Sequence, residues 1–164
     1  MSRAIPALLL ALALAPACGN RAPAPVAPAI VATPTPEEVV TAGKGLIEEY
    51  RQAYEVRSAD ALSGLYAHTL DVVLVQQGKE WAGWTDVRNY LKELLQHATE
   101  IHLTLSDVTV TALGDDASTV VAGVRREVSD GTTTVTTEGV LTLALRRKGG
   151  KWLITTEHFS YRTQ

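Results

Sequence analysis

Lys151-Trp152-Leu153-Ile154-Thr155-Thr156-Glu157-His158-Phe159-Ser160-Tyr161 follows a Gly149-Gly150 turn and reads as one long strand. Side chains alternate across a strand, so Trp152, Ile154, Thr156, His158 and Ser160 share one face and Leu153, Thr155, Glu157, Phe159 and Tyr161 the other. The first face begins apolar and ends polar. That is the pattern of a strand leaving a packed core for a cavity, and it directs His158 and Ser160 into a pocket.

The strands before it share this habit. Ile101, Leu103 and Leu105 are apolar at odd positions, whereas Val108, Val110 and Ala112 are apolar at even ones. Such a switch of parity predicts a bulge near Ser106-Asp107. Gly114-Asp115-Asp116 and Asp130-Gly131 read as hairpin turns. Between and after them, 118–128 and 133–145 keep a period of two. Upstream, Asp71–Gln76 and Glu80–Ala82 read as two short strands joined at Gly78.

Helices fill the first half. Thr35-Pro36-Glu37-Glu38 is a capping box with proline at the first helical position. Val40, Gly43, Ile47, Tyr50 and Tyr54 then recur at helical spacing. A short helix over Asp60–Tyr66 and a third over Asp86–His97, capped by Thr85, complete the set. Helices segregated on one face of a curved antiparallel sheet make an α+β fold. Threonine-rich and apolar residues on both sheet faces predict a homodimer through the uncovered face.

The 164-residue chain carries a net charge of -3 and one cysteine. No bulk electrostatic attraction to nucleic acid exists, and neither an intrachain disulfide nor a cysteine metal cluster can form. Arg3 precedes an unbroken apolar run, Ala7–Ala15, too short to span a bilayer. Residues 1–17 therefore read as a signal peptide. Leu14-Ala15-Pro16-Ala17-Cys18 resembles a bacterial lipoprotein signal, which implies lipidation of Cys18 and anchorage on the periplasmic or cell-surface side of a membrane. Residues 18–36 form a linker rich in alanine and proline, extended at about 3.1 Å per residue and so ~55 Å in reach. Proline stops at Pro36, and the domain occupies 37–164.

Three segments resemble the SnoaL-like, nuclear-transport-factor-2-like superfamily. They are Ala59-Asp60-Ala61-Leu62-Ser63-Gly64-Leu65-Tyr66-Ala67; Trp81-Ala82-Gly83-Trp84 with Val87-Arg88-Asn89-Tyr90-Leu91; and Gly150-Lys151-Trp152-Leu153-Ile154 with His158-Phe159-Ser160. The resemblance implies a cone-shaped fold whose mouth opens between the first helices and the sheet. The family includes isomerases, dehydratases, cyclases, binding modules and assembly domains, so the fold alone does not choose among them.

By that geometry Tyr50, Tyr54, Trp81, His158 and Ser160 form the expected ligand-binding set, for a small apolar ligand and with no cofactor. His158 can serve as acid, base or hydrogen-bond donor, or with Ser160 it can close a structural network. Isomerase-like members place a carboxylate on the first strand, where this chain has Val73-Leu74-Val75-Gln76. His68, His97 and His102 read as surface residues, and no spacing suggests a metal site. Arg126 and Glu138 are charges inside long strands; they either pair across strands or line the pocket mouth. The basic cluster Arg146, Arg147, Lys148 and Lys151 reads as a solvated hairpin tip or a contact for anionic headgroups. The favoured expectation is a lipid-anchored binding domain without catalysis. The alternatives are an isomerase-, cyclase- or dehydratase-like enzyme using His158, and a dimeric interaction module with a filled cavity.

Overall fold

A computed structural model describes residues 33–161. The expected signal peptide (1–17), Cys18 and most of the expected linker lie outside the described residues. Helix α1 (Pro36–Glu55) opens as its capping box dictates: Thr35 Oγ1 accepts from the Glu38 amide at 3.2 Å, and Glu38 Oε2 from the Thr35 amide at 2.7 Å. Its buried stripe is Val39, Gly43, Leu46, Ile47, Tyr50, Ala53 and Tyr54. Gly43 allows α1 to lie close on the sheet, since a Cβ there would stand 2.6 Å from Val110 Cγ1. Helix α2 (Ala59–Ser63) is capped by Ser58. Helix α3 (Trp84–His97) starts one residue before the expected cap Thr85. Gly83, at φ 81°, turns the chain into it without any side-chain cap.

Six strands build one sheet: β1 (Val73–Gln76), β2 (Lys79–Ala82), β3 (Glu100–Ala112), β4 (Ala117–Ser129), β5 (Thr134–Lys148) and β6 (Lys151–Tyr161). Their order is β2-β1-β6-β5-β4-β3. Only β1 and β6 run parallel; the remaining neighbours are antiparallel. This is the expected α+β architecture, with the helices on one face and the core between.

Two bulges set which residues face that core. In β3 the register shifts between Ser106 and Thr109, with Asp107 at φ 52°, where the parity change predicts it. In β6 a second shift falls at Thr155: Leu145 pairs with Ile154, but Ala144 pairs with Thr156. Thr155 is an extra residue, and one extra residue exchanges the faces of everything after it. The backbone there is also engaged from the other side, with Ile154 N donating to Leu65 O at 2.7 Å and Ala67 N to Ile154 O at 2.8 Å. The inward face therefore runs Ile154, Glu157, Phe159, Tyr161, and strict alternation from Trp152 to Ser160 does not hold.

Candidate functional site

The inward half of β6 brings a carboxylate into the cone. Glu157 is 1% exposed, beside Leu74 of β1 and Leu143 of β5. The Tyr66 hydroxyl donates to its Oε2. Burial pushes the Glu157 carboxyl above the usual carboxylate range, and the Tyr66 hydrogen bond opposes that only in part. Tyr50 and Tyr54 pack in the same interior with ring centroids 4.9 Å apart and planes tilted by 59°, and burial raises the hydroxyl pKa of both. The Tyr50 hydroxyl has no partner among the described residues.

Nearer the mouth lies a second polar group, built on Arg126 of β4. It is 6% exposed and faces inward between Val124 and Val128. Its Nη2 donates to Tyr161 Oη at 2.6 Å. Gln76, from β1, is oriented by its neighbours: its carbonyl accepts from Arg126 Nη1 and Nη2 at 2.8 and 2.6 Å and from Tyr161, while its amide group meets the Tyr90 hydroxyl. Burial works against the guanidinium charge, but the surrounding Tyr54, Tyr161 and Tyr90 oxygens offset it and the group stays protonated. Tyr90, largely by burial, is pushed up to about 12.

Tyr90 links this interior to the outside. It lines an open groove of about 660 Å³ at the cone mouth, between α3, β2 and the β4–β5 hairpin. Trp81, Tyr90, Leu94, Val128 and Val135 form its apolar walls; Lys79, Glu93, His97 and Asp130 stand among its lining. The Trp81 and Tyr90 rings are 4.0 Å apart, and Lys79 Nζ sits 4.8 Å over the indole.

The expected ligand set is thus divided among three places. Tyr50 and Tyr54 are deep in the packed interior, and Trp81 is in the mouth groove. His158 and Ser160 are exposed on the outer sheet face, where Val75 and Thr142 flank His158. Ser160 Oγ donates to Val140 O at 3.3 Å. Their expected place in the cavity is corrected by the Thr155 bulge. Arg126 and Glu138 do not pair; Glu138 meets Arg125 across strands at 3.2 Å, on the outer face. His68 stacks on Trp84, and His102 meets Glu100 at 2.9 Å, both at the surface. Sequence reasoning passed over Glu157, Tyr66, Tyr90 and Tyr161. The signal for the first was available: Ile154 and Phe159 are an odd number of residues apart and cannot share a buried face without a bulge.

With fold and interior in view, comparison with known proteins places the chain. A SnoaL-like domain family model matches residues 44–164, and the chain belongs to that family. The structure resembles a candidate dehydratase of the nuclear-transport-factor-2-like family from Streptomyces avermitilis, with TM-score 0.73, 22% identity, and coverage of 79% of this chain and 100% of the other. It also resembles a candidate aromatic ring hydroxylase from Novosphingobium aromaticivorans, with TM-score 0.71, 20% identity, and coverage of 80% and 94%. A nuclear-transport-factor-2-like protein of unknown function from Pseudomonas putida gives TM-score 0.65, 24% identity, and coverage of 76% and 87%. At these identities the likeness is one of fold. No curated protein matches the chain in sequence.

Proposed function

We propose that the domain binds a small, largely apolar molecule in its mouth groove, and that a lipid on Cys18 holds it at a bacterial membrane surface after export. The groove carries the binding half of this reading: about 660 Å³ is a ligand-sized volume, walled by Trp81 and Tyr90 and backed by polar groups. The deeper interior is occupied by its own tyrosines and Phe159. The anchoring half rests on the apolar run before Cys18 and the proline-rich linker after it. A thermal-shift screen with a diverse library, run on wild type and Trp81→Ala, tests the first half; a library without one stabilising compound sinks it. Intact mass of membrane-extracted wild type against Cys18→Ser tests the second, and equal masses apart from the substitution overturn it.

A homodimer through the outer sheet face is the accompanying assembly. Val121 and Val140 lie there 41% and 43% exposed, among threonines. The acid–base reading of His158 has no support from the interior, since the imidazole stands on that outer face.

A further inference from the structure

Buried cations are stable when a counter-charge and a full set of acceptors surround them. Arg126 has neither. Gln76 and Tyr161 occupy its terminal nitrogens. Its Nε is buried and has no acceptor among the described residues, and none of their ion pairs includes it. The Phe159 and Tyr161 rings, 5.2 and 5.7 Å from Cζ, supply only partial compensation. Glu157 is committed to Tyr66, and its burial works against a full negative charge.

This cation stands behind the groove wall, two hydrogen bonds from it through Gln76. Tyr90, a groove wall, bonds to the same Gln76 amide that holds Arg126. Val128, two residues along β4 on the same inward face, is another wall. We propose that Arg126 anchors the carboxylate of a small planar aromatic acid whose ring lies in the mouth groove against Trp81 and Tyr90. This rests on the reading of the groove as a ligand site. A carboxylate on the edge formed by Nε and Nη2 supplies the acceptor that Nε lacks and takes the place of the Tyr161 hydroxyl on Nη2, with two parallel hydrogen bonds. Its entry displaces the Tyr90 hydroxyl from Gln76 and the Tyr161 hydroxyl from Arg126, exchanging these contacts for a charge-assisted pair. In the groove lining Glu93 and Asp130 repel an anion and oppose the attraction of Lys79, so Lys79 is the competing anchor for the acid.

Calorimetric titration and thermal shift of the mature Cys18→Ser chain with 2-naphthoate and the neutral 2-naphthalenemethanol test this. Wild type should bind the acid at least tenfold more tightly than the alcohol. Arg126→Gln should bind both with the alcohol's affinity, and Trp81→Ala should weaken both. Equal affinity of wild type for the two compounds, or a preference for the acid that survives in Arg126→Gln, overturns the anchor and leaves the groove reading standing. Binding of neither naphthalene compound, while neutral library compounds bind, does the same; failure of every compound overturns both. Should Arg126→Gln fail to fold, Lys79→Gln decides: an acid preference that survives it supports Arg126, and one that is lost with Lys79 overturns the anchor.

Discussion

The Tyr66 hydroxyl donates to the Glu157 carboxylate across the inside of the cone, joining the end of the α2 segment to the middle of β6. Both residues are 1% exposed. The pair occupies the sheltered place that strict alternation of β6 would reserve for His158, and it puts a titratable group where water does not reach.

That burial gives stability a pH dependence of definite sign. Glu157 titrates higher in the folded chain than in the unfolded one, chiefly through desolvation. Its contribution is complete below the unfolded value, ~4.3, and is lost as pH rises through the folded value. Glu157→Gln keeps an acceptor for Tyr66 and removes the charge. Thermal melts across pH 3.5 to 8 should show the variant's Tm advantage over wild type growing with pH, whatever its offset at the acid end. Tyr50, Tyr54 and Tyr66 stay neutral through this range, and Arg126 stays charged. An advantage that is constant or shrinks with pH overturns the assignment.

Two glycines of α1 two positions apart, Gly43 and Gly45, separate propensity from packing. Gly45 is exposed, and a Cβ there meets nothing within 4 Å. Gly45→Ala should stabilise by up to about 1 kcal/mol, the helix-propensity gain. Gly43→Ala gains the same propensity but drives a methyl against Val110, a β-branched side chain with little freedom to turn aside. The net should be destabilisation of about 1–2 kcal/mol, since overpacking typically costs 1–3. Chemical denaturation of the two variants distinguishes them by sign.

The sequence made the architecture legible because most elements carry redundant signals. Thr35-Pro36-Glu37-Glu38 announces α1 by cap chemistry and by the apolar period that follows, and both hold. The β3 bulge is legible because three apolar residues stand on each side of it, so the parity change is unambiguous. The β6 bulge has weaker marking. Thr155 and Thr156 fit either face, and only the odd spacing of Ile154 and Phe159 betrays the slip. Strict alternation therefore places everything beyond it on the wrong face, including His158. The site is less legible still. Arg126 and Gln76 come from strands far apart in sequence, with β6 and β5 between them in the sheet and Tyr161 of β6 closing the network. No local pattern reports such a meeting.

The placement of His158 makes a direct comparison of ligand responses informative. His158→Ala removes an exposed imidazole outside the cone and should leave both Tm and groove binding nearly unchanged, within about 0.5 kcal/mol. Trp81→Ala removes half of the aromatic wall and should weaken any groove ligand about tenfold or more, as loss of a buried aromatic anchor does. Titration of one stabilising compound against both variants is sufficient. Loss of binding in His158→Ala with retention in Trp81→Ala would move the ligand to the outer face.

The outer face itself carries the last prediction. Val121 of β4 and Val140 of β5 point away from the core, set among Thr119, Thr136 and Thr142 on the same face. Charge on this surface is already internally paired: Arg125 meets Glu127 at 2.7 Å and Glu138 at 3.2 Å. A second copy can therefore cover the valines without stranding those charges. Sedimentation of the mature Cys18→Ser chain at micromolar concentration should give a dimer. Val140→Lys places two ammonium groups near the two-fold contact, where like charges oppose and desolvation is costly. It should shift the species to monomer while the circular dichroism spectrum stays that of wild type. A wild-type monomer, or a dimer indifferent to Val140→Lys, would leave this face as solvent-exposed sheet and remove the dimer from the proposed function.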